Sequence, residues 1–136
     1  MKELTKITIA GQKYPVKMDI NVLEEIQEKY GSVNIFEKEI SGIRNIEYDE
    51  EGRVKKIDIC EPSIKAIKFV LPLMINEGMK ITADMENKDF SMVDAEMIYR
   101  ECDVSFYELA EIAYDEFKKC FSAKKQKPSK EEKKSR

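Results

Sequence analysis

The side chains best suited to covalent or acid–base chemistry are scarce in this sequence. It contains no histidine, so the usual imidazole general base, zinc ligand or partner of a nucleophilic serine or cysteine is missing. Its three cysteines, Cys60, Cys102 and Cys120, form no CxxC pair, and an odd number argues against a disulfide framework. The carboxylates are spread over helix faces, where solvated surface is their ordinary role, and no glycine-rich phosphate loop accompanies them. The sequence therefore predicts no catalytic residue, no cofactor and no metal.

The remaining chemistry is that of adhesion. Seven methionines are present, and this flexible, polarizable side chain suits surfaces that adapt to a partner. Met79, Met85 and Met92 fall in or beside the segment after the most apolar helix, a place where a partner's amphipathic helix would dock. Tyr107 and Phe121 lie off the centre of the inward stripe of the last helix. These five are the candidate partner-binding residues. The competing role for all of them is ordinary core packing.

The elements that position these residues are legible from spacing. Residues 62–78, PSIKAIKFVLPLMINEG, place Ile64, Ile67, Leu71, Met74 and Ile75 on one helical face, widened by Phe69, Val70 and Leu73. Ser63 is its expected cap and Gly78 its expected end. Pro72 stands inside the helix and removes the hydrogen bond to the Lys68 carbonyl, at a cost of roughly 3 kcal/mol. Because the apolar spacing keeps its phase across Pro72, a kinked helix is preferred to a break at Leu71.

Upstream, residues 4–18 alternate around Ala10-Gly11-Gln12-Lys13 and read as a β-hairpin, with Pro15 marking an edge strand. A helix then runs to Gly31 with Ile20, Leu23, Ile26 and Tyr30 inward, capped by Asp19 or Asn21. A second, from about Asn34 to Ser41, carries Ile35, Phe36 and Ile40. Residues 45–48 and 53–59 form a second, more exposed hairpin around Asp49-Glu50-Glu51-Gly52. Residues 80–90 read as mostly loop. Ser91 with Asp94 opens a helix with Met92, Ala95, Ile98, Tyr99 and Cys102 inward. Ser105 with Glu108 opens the last helix as a capping box, with Phe106, Leu109, Ala110, Ala113, Tyr114, Phe117 and Phe121 along its apolar face.

The fold class is thus α+β: an N-terminal β-hairpin, a mostly helical body of four to five helices, and a second exposed hairpin near residues 45–59. One globular domain is expected over residues 1–121, with a disordered basic segment over 122–136. The net charge of −3 divides into +5 over residues 122–136 and −8 over residues 1–121. An acidic body does not resemble a nucleic-acid-binding face. No apolar run approaches the roughly 18 residues of a membrane span, and the N-terminus lacks a signal-peptide pattern. A cytoplasmic protein is expected.

The order of these elements carries a resemblance. KITIAGQKYPVKMD leads directly into NVLEEIQEKYG and NIFEKEISG, and after an insertion come IKAIKFVLPLMINEG and a final acidic, aromatic helix with a charged end. Over roughly residues 5–121 this resembles the tail assembly chaperones of long-tailed bacteriophages and their prophage relatives. The resemblance implies a protein of the bacterial host cytoplasm that binds the tape measure protein, keeps it soluble while tail tube protein assembles around it, and is absent from the mature virion. Self-association is a further expectation. The alternatives are a structural tail component retained in the particle and, more remotely, a small regulatory protein that binds nucleic acid through its basic segment.

Overall fold

A computed structural model describes residues 3–122 of the chain. The expected disordered segment therefore lies outside the described residues, apart from Ser122. The architecture is α+β: an N-terminal antiparallel hairpin, a body of five helices and a second hairpin between the second and third helices.

The first hairpin pairs β1 (Thr5–Ile9) with β2 (Gln12–Val16). Its turn is two residues long, shorter than expected, with Ala10 and Gly11 both at positive φ. That geometry matches strand twist, and the Ala10 N–H is held by an Asp103 carboxylate oxygen at 3.1 Å. Ile7, Ile9, Tyr14, Val16 and Met18 are buried. Among the described residues, no third strand joins this sheet. Instead β2 runs along helix α3 (Ile64–Met85), where the Lys17 N–H donates to the Met74 carbonyl at 3.0 Å. The edge that Pro15 marks is thereby covered by a helix, one of the ways a sheet edge is protected.

Helix α1 (Ile20–Tyr30) starts at Asp19, whose side chain accepts from the Val22 N–H, and ends at Gly31 in the left-handed conformation. Asn21 is not the cap; its amide donates to Glu77 at 2.9 Å. The inward stripe is Val22, Leu23, Ile26 and Tyr30, while Ile20 is exposed. The cap sets this phase, because Ile20 is the first helical residue and its side chain precedes the packed turn. Helix α2 (Val33–Ser41) buries Phe36 and Ile40 but not Ile35, which lies one position off its packed face.

The third helix is continuous for 22 residues and passes through Pro72 without a break, as its apolar phase predicts, but it departs from expectation by not stopping at Gly78. Residues 80–85, expected as loop, are its last turns. Gly78 lies inside the helix because a side chain there would strike the Pro15 carbonyl and approach the Val16 nitrogen to 2.9 Å. Glycine's usual cost in a helix is thus set against the close passage of β2. Ile64, expected inward, is exposed next to the Ser63 cap.

Two further helices close the body: α4 (Ala95–Glu101), capped by Asp94, and α5 (Phe106–Phe121), capped by Ser105. In α4 only Ile98 is fully buried; Met92 lies before the helix and faces solvent. An aromatic chain ties the helices together, with Tyr30 against Phe36 at 5.4 Å, Phe36 against Phe117 at 5.8 Å and Tyr30 edge-on to Phe69 at 5.9 Å. Such contacts add to the area that aromatic side chains bury. The second hairpin, β3 (Ile43–Tyr48) and β4 (Val54–Ile59), stands apart from this core.

Candidate functional site

The five candidate residues do not form one site. Met79 is half-buried and packs against the core. Met85 is exposed at the end of α3, and Met92 is 73% exposed in the segment between α3 and α4. Tyr107 and Phe121 are 66% and 56% exposed, and lie at opposite ends of α5, about 21 Å apart along its axis. Tyr107 packs edge-on to Phe106 at 5.7 Å, and Phe121 rests on Phe117 at 5.0 Å. The expectation that both aromatics lie off the packed stripe holds. The expectation that Met79 is a surface residue does not, because α3 continues past Gly78 and keeps Met79 against the body.

Met92 belongs to a groove. A cleft of about 320 Å³ runs between α1 and α3, lined on one side by Val22 and Glu25 and on the other by Leu73, Glu77 and Lys80, with Phe90 and Met92 at its rim. Asn76 builds that rim: its side-chain oxygen accepts from the Val93 N–H at 2.8 Å and pins the segment after α3 back onto the helix. Lys80 sits over the Phe90 ring at 5.5 Å. The lining is mixed, with Val22, Leu73, Phe90 and Met92 apolar among Asn21, Glu25, Asn76, Glu77 and Lys80, a surface that an amphipathic partner helix with polar flanks could meet.

One end of the groove carries a carboxyl pair. Asp19 is pushed up to about 6, first by burial and then by its hydrogen bond with Glu77, while that same bond holds Glu77 below the ordinary range. The Asn21 amide donates to Glu77 at 2.9 Å and anchors it at this end of the groove.

Two clusters escape sequence reasoning. Glu116, buried in α5, accepts from the Thr5 hydroxyl at 2.7 Å and the Lys119 ammonium at 2.8 Å, locking β1 to α5. Its place next to Phe117 on the packed stripe was the available signal. Tyr99 donates its hydroxyl to the Lys68 carbonyl at 2.6 Å, a bond signalled by Pro72.

The Cys120 thiol donates to the Met18 carbonyl at 3.1 Å, and burial pushes it up, away from the reactive thiolate. Among the described residues, no three cysteine or carboxylate side chains come together as metal ligands, and no helix is long and apolar enough to cross a membrane. Comparison of the chain with protein-family models, with curated proteins and with solved structures finds no match.

Proposed function

We propose that this protein is a non-catalytic assembly factor, a phage or prophage tail assembly chaperone that binds the tape measure protein in the bacterial cytoplasm and leaves before the virion is complete. The observation that carries this reading is the α1–α3 groove, where Phe90 and Met92 are held at the rim by Asn76 rather than folded into the core. A long amphipathic client needs such a surface: apolar contacts, an adaptable methionine and enough charge to keep the complex soluble. The order of elements that resembles the chaperone family supports the same reading. Tail tube protein is a second partner under this proposal.

The test is affinity capture of tagged protein from the induced native host, with mass spectrometry of both the captured proteins and purified particles. A very long, helix-rich tail protein in the capture, with this chain missing from particles, supports the proposal. Its retention in particles favours a structural tail component. Capture of nucleic acid alone removes the chaperone reading.

A further inference from the structure

The hairpin of β3 and β4 is a two-stranded sheet with little support of its own. Every residue of Arg44–Tyr48 and Val54–Ile59 is exposed, although isolated hairpins are marginal in water and three or more strands are usually needed. β3 is the inner strand: it packs against α2, and Ile46 and Tyr48 face Tyr114 of α5 across a cleft. Among the described residues, β4 has β3 as its main neighbour and no strand on its outer edge.

That edge has a defined polarity. The Cys60 N–H donates to the Gly42 carbonyl at 2.8 Å, so by strand alternation the backbone groups of Asp58 and Lys56 face β3, while those of Ile57 and Ile59 point outward. Side chains alternate likewise. Ile57 pairs with Ile46 on one face, whereas Lys56 opposite Glu47 and Asp58 opposite Asn45 occupy the other.

We propose that β4 pairs antiparallel with β4 of a second copy about a two-fold axis through Ile57, giving a four-stranded sheet in the order β3-β4-β4-β3. The register follows from charge. An axis through Lys56 or Asp58 sets two like charges directly opposite, which is destabilising. The axis through Ile57 uses the outward backbone groups of Ile57 and sets Lys56 against the partner's Asp58 twice. Edge lysines ordinarily guard a free strand against pairing; here Lys56 rejects the neighbouring registers and admits this one. Pairing runs from Lys55, the extra residue where Glu47 pairs with Lys56 and Tyr48 with Val54, to Ile59, and the two-fold axis sets the same limit at both ends. The inner position of β3 keeps the sheet from growing, so the assembly closes as a dimer. This interface does not depend on the chaperone reading.

The test uses the full chain and two charge reversals, Asp58→Lys and Lys56→Glu, in sedimentation equilibrium. Wild type is expected to dimerise, and each variant alone to dimerise at least about tenfold more weakly, because two attractive pairs become repulsive. An equimolar mixture should form a one-to-one heterodimer of wild-type strength, since the two reversals complement each other across the axis. Asp58→Lys, opposite Asn45, gives up only the exposed 3.7 Å ion pair with Lys56 of its own strand and decides alone if Lys56→Glu, which faces Glu47 and Asp58, fails the circular dichroism check of folding. A monomeric wild type, an Asp58→Lys variant that dimerises as tightly as wild type, or a mixture of folded variants no tighter than either alone overturns the proposal.

Discussion

The Tyr99 hydroxyl lies 2.6 Å from the carbonyl oxygen of Lys68, the one carbonyl in α3 whose usual donor is replaced by Pro72. Proline has no N–H to return to the residue four positions back, and a side chain from α4 supplies the missing hydrogen. The Lys68 ammonium also sits over the Tyr99 ring at 4.7 Å. Tyr99→Phe should therefore cost about 0.5–1.5 kcal/mol, the net worth of one hydrogen bond. In a Pro72→Ala background, where residue 72 recovers its N–H, the same change should cost measurably less. Urea unfolding of the four proteins gives the coupling directly, and equal costs in both backgrounds would remove the link between Pro72 and Tyr99.

Gly78 gives the opposite sign to ordinary helix propensity. Replacing a helical glycine by alanine in open space gains about 1 kcal/mol. At Gly78 the added carbon meets the backbone of Pro15 and Val16, which cannot rotate aside as a side chain would. Gly78→Ala should destabilise by about 1–3 kcal/mol, the usual range for overpacking. Thermal unfolding checks it, and a raised midpoint would mean that β2 moves freely away from α3.

Core aromatics should separate by burial. Phe36 is fully buried between Tyr30 and Phe117, so Phe36→Ala should cost about 3–5 kcal/mol. Phe69, on the apolar face of α3 by spacing alone, is only half-buried under Lys29, and Phe69→Ala should cost less than half as much. Chemical denaturation orders the two, and a larger loss at Phe69 would contradict the packing described.

This contrast shows where sequence reading succeeds and where it stops. Both hairpins, the Ser63 and Ser105 caps and the stripe through Ile67, Val70, Leu71 and Met74 follow from spacing, because period and cap chemistry are local. Gly78 and residues 80–85 look like a helix end and a loop in the sequence because the strand passing over Gly78 is distant along the chain, so a residue chosen for clearance resembles a helix terminator. Ile20 and Ile64 fit the inward spacing yet lie exposed because each is the first residue of its helix, where apolar character precedes any packed turn. The groove was half visible: Met92 was singled out, but Phe90, Leu73 and Val22 meet it only through tertiary folding, and the Asn76 bond to Val93 has no sequence signature.

The Asp19–Glu77 pair makes stability depend on pH. Asp19 is raised from an ordinary value of about 4 to about 6, so its contribution is complete below pH 4 and is lost as pH rises through 6. Glu77, held low, contributes in the opposite sense, and the pair titrates jointly. Asn at position 19 keeps the cap and offers a permanent donor to Glu77, as the protonated acid does. Asp19→Asn should therefore match wild type near pH 4 and exceed it at pH 7 by up to about 1 kcal/mol, after allowance for solvent screening. Melting curves at both pH values test this, and a variant less stable than wild type at pH 7 would show that the ionised Asp19 costs the fold nothing there.

Binding and stability should part company at the groove. Met92 is exposed and Asn76 fixes the segment that carries it, so Met92→Glu removes an apolar contact from the rim without touching the core. Surface changes of this kind usually stay within about 0.5 kcal/mol. Met79→Glu, in contrast, puts a charge against the packed body and should lower stability by about 1–3 kcal/mol. The measurement pairs thermal unfolding with capture of the helical client. Met92→Glu should lose most of the captured client at an unchanged melting temperature, and Tyr107→Glu, at the far side of α5, should lose client only if the contact extends beyond the groove. Full capture by Met92→Glu at wild-type stability would exclude the α1–α3 groove as the client's seat.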